Sequence, residues 1–197
     1  MNPAKKPQTT KIKSRKILDI GCGLERGKYK SQTPNDKVIG LDIEKLPGVD
    51  VVADIEKGLP FSDNEFDVVV CNYVLEQIKN FFFVMQEIHR ILKPHGVVKI
   101  RVPFYASWAQ YNDPLHVRSF SYYTFDRFSN KHKRHYRKQY KDINFKTQKR
   151  KFIFALGRAK IFNPIINPLV NTFPNFYSRF LAWIIPCVDL YFELEKV

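Results

Sequence analysis

The sequence predicts an α/β protein built on a doubly wound, mostly parallel sheet, and three observations predict it. Short runs rich in Ile and Val recur through the first hundred residues: Lys16 to Ile20, Val38 to Leu41, Val51 to Ala53, Phe66 to Cys71 and Val97 to Val102. Continuous apolar runs of that length suit parallel strands covered on both faces. Between the last two, Phe81, Val84, Met85, Ile88 and Leu92 recur at helical spacing. Lys93-Pro94-His95-Gly96 stops that helix, because Gly96 can take a left-handed C-cap and Pro94 cannot extend the ladder. Finally, the first run enters a glycine turn, Gly21-Cys22-Gly23, at the end of the strand where such sheets bind ligands.

At 197 residues the chain has room for one domain with a real core and not for two full-sized enzyme domains. Residues 1–14 are polar and basic without periodicity and read as a disordered arm. No apolar stretch follows them, so no secretory leader is expected. Cys22, Cys71 and Cys187 make neither a disulfide framework nor a zinc pattern, which points to a cytoplasmic setting and no metal site. The longest apolar stretch, Phe180 past Pro186 to Phe192, is interrupted by Asp189 and falls short of the ~18 residues of a membrane span.

Net charge is +14 and lopsided: residues 101–197 carry 17 Lys and Arg against 6 Asp and Glu, residues 1–100 carry 16 against 13. Such a field favours an anionic partner, and it is equally that of a solvated basic face. After Val102 the rhythm changes. A loop-rich aromatic segment runs from Pro103 to Arg127, a basic one from Lys131 to Lys151, and an apolar one from Ile161 to Ile185, broken by Pro164, Pro168 and Pro174. No internal repeat is expected.

The chemistry lies at the strand ends. Gly21 and Gly23 let the backbone approach a ligand with no Cβ in the way. Asp42 follows the second strand, where a carboxylate can accept both hydroxyls of a ribose. Asp54 ends the third, within reach of an adenine amino group, and Asp19 before the first glycine suits an ammonium. A dinucleotide site looks similar, but the third glycine of G-x-G-x-x-G comes one residue late, at Gly27, which weakens the case for a helix N-terminus facing a pyrophosphate. Adenosine plus an ammonium without phosphate describes S-adenosylmethionine; a nicotinamide cofactor is the alternative. Asp19 also suits a plain loop tether and Asn72 a helix cap, and Cys22 and Cys71 read as small buried residues.

Residues 16–102 resemble the core of the class I S-adenosylmethionine-dependent methyltransferases, of the type 11 kind. Asp19-Ile-Gly-Cys-Gly23 resembles their first motif and Asp42 their ribose-binding acid. Asp54-Ile55 with Leu59-Pro60-Phe61 resembles the adenine-contacting segment. Phe66 to Gln77 resembles the fourth strand and the helix start after it, and Glu87 to Gly96 the approach to the fifth. Gln77 stands where a His is common, and Glu25-Arg26 replace small residues of the glycine loop. The resemblance implies a seven-stranded sheet whose last strand is antiparallel, with strands six and seven near Phe145 to Phe154 and Leu190 to Leu194. It places backbone at Gly21 and Asn72 beside the methionine part of the cofactor and Asp19 near its ammonium. It divides the chain into an arm, 1–14, and one domain, 15–197, with a cofactor-binding core at 16–102 and acceptor-side loops and cover helices at 103–189.

The acceptor is expected over the C-terminal ends of the strands, against the segment after the fifth. There His116 is the candidate base or acceptor-binding group, Asp113 can orient it, Arg118 can hold an anion, and Tyr105 can line the entrance. His116 as a loop anchor is the competing reading. Asp-Pro-x-His-x-Arg-x-Phe resembles a string in uncharacterised bacterial and archaeal methyltransferases, as do Trp183-Ile-Ile-Pro186 and Tyr191-Phe-Glu-Leu194. The acceptor class stays open: glycan, lipid-linked or small molecule before nucleic acid. Residues 161–185 read as a helical cover or as a peripheral membrane contact. The rival from another class is a non-catalytic basic module that keeps the fold and binds RNA or an acidic surface.

Overall fold

The computed structural model describes residues 14–24, 29, 31, 33–129 and 143–197. The arm expected over 1–14, apart from Ser14, lies outside the described residues, as do Glu25, Arg26, Gly27 and the basic run 131–141. Seven strands form one sheet in the order β3-β2-β1-β4-β5-β7-β6. They are β1 Lys16–Ile20, β2 Lys37–Asp42, β3 Val51–Val52, β4 Phe66–Asn72, β5 Leu92–Pro103, β6 Phe145–Ile153 and β7 Asp189–Lys196. β1 to β5 pair in parallel, and β7 runs antiparallel to both β5 and β6. The strand order reverses at β1 and β4. Loops leaving their C-terminal ends diverge there, and the crevice between them is where such a sheet holds a ligand.

Helix α1, Phe81–Ile91, lays Phe81, Val84, Met85, Ile88 and Ile91 on the sheet, all buried. Arg90 on α1 pairs with Glu87 and Asp63 and donates to the Leu59 and Phe61 carbonyls, which pins the β3–β4 connection to the helix. The helix passes directly into β5 at Leu92. The left-handed residue of this junction is His95, with φ 63°, and not Gly96. Gly96 is required for space: a Cβ there would lie 2.9 Å from the Lys93 carbonyl oxygen.

The aromatic surplus of the second half fills one face of the sheet. Residues 104–129 fold back over α1 through helix α2, Trp108–Tyr111, and a 3-10 turn, Thr124–Phe128, so that Phe81, Phe120, Phe125 and Phe128 interlock. Edge and offset ring contacts of this kind add about 0.5–1.5 kcal/mol per pair beyond area burial. On the opposite face a small cluster of Ile17, Val68 and Val70 is covered by Tyr29 and Val38. Continuous burial therefore holds for β1 and β4, whereas β5 alternates, with Val98, Ile100 and Val102 buried and Lys99 and Arg101 half-buried.

β6 is an edge strand, and its far end is closed by side chains. Helix α3, Asn163–Thr172, turns Asn163, Asn167 and Asn171 toward it. Asn171 accepts from the Phe152 amide (2.8 Å) and donates to the Phe152 carbonyl (3.0 Å); Asn167 accepts from the Phe154 amide (2.8 Å); Asn163 brackets Ala155 in the same way at 2.9 Å. Three amides spaced four residues apart thus stand in for an eighth strand and satisfy an edge that would otherwise pair with another chain. The chain then runs through a short helix, α4 Pro174–Phe176, and a π turn, Tyr177–Leu181, into β7. The expected helical cover is real at Val170, Tyr177 and Ala182, which are buried, but most apolar side chains between 161 and 185 face outward.

Candidate active site

The glycine turn is held by the sheet's second strand. The Gly21 and Cys22 amides both donate to the Leu41 carbonyl (2.8 and 3.1 Å), and the Gly23 amide donates to Asp42 Oδ2 (2.9 Å). Gly21 and Gly23 have φ of 68° and 60°, a region that L side chains avoid. A Cβ on Gly21 would also lie 2.4 Å from Val74 Cγ2, so the turn is shaped for close approach.

Beside it opens a cleft of about 370 Å³, within the ordinary range of small-molecule sites. Ile20, Gly21 and Gly23 form one wall; Leu41, Asp42 and Ile43 a second; Ala53, Asp54, Ile55 and Glu56 the floor; Tyr73, Val74, Gln77 and Ile78 the remainder. Five of the predicted cofactor residues, Gly21, Gly23, Asp42, Asp54 and Ile55, are thus brought together. Asp42 Oδ1 accepts from the Glu44 amide (3.2 Å), so both its oxygens serve the local backbone and keep further lone pairs for a ligand. Asp54 caps the 3-10 turn Ile55–Lys57 by accepting from the Glu56 amide (3.0 Å), and that bond, with Lys57 close by, holds its carboxyl below the usual range. Asp19 is buried within β1 behind the turn, and Asn72 ends β4; neither lines the cleft. Asn72 caps no helix: Tyr73 turns into a left-handed conformation, φ 57°, and α1 begins only at Phe81 with Asn80 as its N-cap.

Three acids and no cation line this cleft among the described residues. A pyrophosphate would meet like charge there, whereas an adenosine with a cationic tail would meet acceptors. The donor and acceptor set therefore fits S-adenosylmethionine better than a nicotinamide dinucleotide.

The turn after β4 also carries Glu76, which reading the sequence left without a role. Its side chain is fully buried and neither oxygen has a hydrogen-bond partner. Burial pushes its carboxyl up to about 7, with Asp189 and Asp113 adding to the effect. The Glu76 carbonyl accepts from the Val117 and Arg118 amides (2.9 and 3.1 Å), which docks the loop 104–118 on the cleft-lining turn. In that loop His116 Nδ1 donates to the Gln110 carbonyl (3.0 Å). Nδ1 is thereby the donor, and Nε2 faces Glu76 Oε1 (3.9 Å) and Asp113 Oδ2 (3.8 Å). The Gln110 carbonyl holds the ring at one nitrogen while Asp113 Oδ2 stands near the other; Asp113 Oδ1 accepts from the Leu115 amide (2.9 Å). The Arg118 guanidinium lies 4.6 Å over the Phe81 ring and donates to the Lys79 carbonyl (3.4 Å). Tyr105 donates to the Ser178 carbonyl (2.8 Å) and packs edge-on against Trp183, tying this segment to the C-terminal cover. Trp108, Tyr111, Leu115 and Val117 form an exposed apolar rim.

A second buried acid was equally unforeseen. Asp189, at the start of β7, accepts from Tyr73 Oη and pairs with Arg101 (2.7 Å), and burial raises its carboxyl. It anchors the cleft-lining Tyr73 to the far side of the sheet. All three cysteines are free and buried, and burial raises the thiol of each, as expected of inert residues. Among the described residues no cluster of His, Cys, Asp and Glu could hold a metal ion, and no helix is long and apolar enough to cross a membrane.

Comparison with known proteins bears on the same region. Residues 18–100 match the family model described as "Methyltransferase domain". A demethylmenaquinone methyltransferase of Staphylococcus carnosus is 31% identical over 100 residues, covering 43% of this chain and 42% of its own. The human mitochondrial arginine-hydroxylase NDUFAF5 is 39% identical over 94 residues, 41% of this chain and 26% of its own. The chain thus spans less than half the length of these curated relatives. The crystal structure of a SAM-dependent methyltransferase from Archaeoglobus fulgidus superposes with a TM-score of 0.63 at 20% identity, covering 93% of this chain and 86% of that one.

Proposed function

We propose that this chain, whose residues 18–100 match the methyltransferase domain model and whose fold is that of a known S-adenosylmethionine-dependent methyltransferase, moves a methyl group from S-adenosylmethionine to an acceptor seated over the C-terminal ends of β4 and β5. The cofactor implied by that family supplies an electrophilic methyl on a sulfonium. The observation that carries the reading is the cleft itself: a glycine turn with no room for a Cβ, facing acceptors at Asp42 and Asp54 and no cation among the described residues. Asp42 would accept from the ribose and Asp54 from the adenine, with Ile55 packed against the ring. Asp19 and the backbone at Asn72 would serve the methionine end.

Displacement at a sulfonium needs alignment and exclusion of water more than it needs chemistry from the protein. The loop 104–118, docked through the Glu76 carbonyl, supplies that enclosure. His116, with Nδ1 donating to the Gln110 carbonyl, would take a proton from the acceptor at Nε2, and Arg118 would face an anionic group once released from the Lys79 carbonyl. The exposed rim of Trp108, Tyr111, Leu115 and Val117 favours an acceptor with an apolar part, lipid-linked or small, with a glycan next and nucleic acid behind.

Calorimetry with S-adenosylmethionine and with NAD tests the cofactor. Binding of the first alone is expected, and binding of NAD alone refutes the reading. It also separates an enzyme from a basic module that merely keeps the fold, since a fold alone does not fix a function. With an acceptor in hand from labelled-methyl screening, His116→Ala is expected to lower turnover by roughly 10²–10⁴ with cofactor binding unchanged. A lowered melting temperature with turnover per folded molecule intact would make His116 a loop anchor.

A further inference from the structure

Helix α3 is amphipathic in the reverse sense. Its polar stripe, Asn163, Asn167 and Asn171, faces the protein and is consumed by the edge of β6. Its apolar stripe therefore faces away: Ile161, Ile165, Leu169 and Phe173, again four residues apart, are 67–70% exposed. Phe176, Phe180, Trp183 and Ile184 continue the same exposed surface through the next turns. Between α3 and those turns lies an apolar cleft of about 300 Å³ lined by Leu169, Phe173, Phe176 and Ile185 among others. A patch this continuous on a folded protein marks an interaction surface.

The charge around it says what kind. Residues 143–188 contain no Asp or Glu, while Lys146, Lys149, Arg150, Lys151, Arg158, Lys160 and Arg179 lie within them. Arg158 and Lys160, in the turn leading to Ile161, and Arg179, between Phe176 and Phe180, are exposed at the border of the apolar surface. Arg150 and Lys149 are paired with Asp126 and Glu193 on the sheet, so it is Arg158, Lys160 and Arg179 that give the aromatic and aliphatic surface a cationic border, which complements an anionic lipid interface. A protein partner of ordinary composition would meet an unrelieved positive border. A second copy of this chain would bring like charge to like.

We propose that residues 157–185 dock this protein on the surface of anionic membranes, with the outward stripe of α3 and Trp183 entering the headgroup boundary. Tyr105 links this surface to the acceptor side, through the Ser178 carbonyl and the Trp183 ring, so docking would set the enzyme's mouth beside the bilayer. The docking itself stands on the surface alone and does not depend on methyl transfer.

Trp108→Phe leaves Trp183 as the only tryptophan and a reporter of depth. With vesicles of phosphatidylcholine and phosphatidylglycerol, its emission is expected to shift to the blue and to be quenched by brominated acyl chains. Affinity is expected to fall roughly tenfold or more when the anionic lipid is withdrawn or salt is raised. Ile165→Ser, Leu169→Ser and Phe173→Ser together remove exposed side chains only, so the variant should melt with the parent and lose the vesicles. Three results overturn the proposal: no cosedimentation with anionic vesicles; binding without quenching of Trp183, lost only on neutralising Lys133, Arg134, Arg137 and Lys138; or a dimer in sedimentation velocity that the triple serine variant dissolves and vesicles do not compete.

Discussion

Glu76 gives the protein a pH dependence that a single substitution removes. The carboxyl is fully buried, its oxygens have no hydrogen-bond partner, and burial lifts it from 4.5 to about 7. Between those values the folded protein keeps a proton that the unfolded chain has lost. The contribution of Glu76 to stability is then fully present below 4.5, falls as pH rises through the window, and levels off above about 7. At 1.36 kcal/mol per pH unit the window corresponds to a loss of about 3 kcal/mol, or roughly 6–12 °C in Tm for a chain of this size.

Glu76→Gln keeps the shape and cannot ionise. Thermal unfolding of the pair from about pH 4.5 to about pH 8 should show the variant gaining on the parent across the window and holding its lead above it. Parallel curves, or a variant that loses ground as pH rises, would mean that Glu76 is hydrated or paired and that the reasoning is wrong.

Gly21→Ala should cost about 2–4 kcal/mol, part from positive φ and part from the Cβ 2.4 Å from Val74, and adding Val74→Ala should recover only the steric part in denaturant melts. Asp42→Ala should weaken S-adenosylmethionine and also loosen the glycine turn, since the Gly23 amide loses its acceptor; Asp42→Asn keeps one oxygen for the Gly23 amide at the expense of the Glu44 amide, so it should destabilise less than Asp42→Ala and weaken the ligand roughly 10–100-fold by calorimetry. Asn171→Ala strands the Phe152 amide and carbonyl and should cost about 2 kcal/mol, with light scattering reporting association through the opened edge of β6.

The strands and the cleft were legible because one physical rule governs each. Five apolar runs gave five parallel strands, and Asp42 and Asp54 stand at the ends of β2 and β3, which lie side by side next to β1 and so border the crevice at the reversal of strand order. Glu76 was not legible. It sits in a run already explained by its neighbours, and a carboxylate in a sequence is read as solvated until a fold removes the water. The helix cap that Asn72 would also suit is absent for a related reason. Tyr73 adopts a left-handed conformation that aromatic residues rarely take, and the turn replaces the helix start with a wall of the cleft.

The segment 161–185 shows a conflict that pattern alone does not decide. Asn163, Asn167 and Asn171 share the four-residue spacing of Ile161, Ile165, Leu169 and Phe173, so the sequence holds two stripes on opposite sides of one helix. Hydrophobic burial argues for turning the second inward, at about 1.5–3 kcal/mol per side chain. Against it stands an edge strand whose Phe152, Phe154 and Ala155 amides and Phe152 and Ala155 carbonyls need partners, each costing about 1–3 kcal/mol if buried without one. Asparagine alone among the nearby side chains offers a donor and an acceptor in the spacing of a peptide group, so the polar stripe goes in and the apolar one is left out. The regular Asn repeat was the readable signal. A helix that spends its amides on its own sheet must find its hydrophobic partner elsewhere, and the basic border of this one makes an anionic bilayer the partner that its chemistry fits.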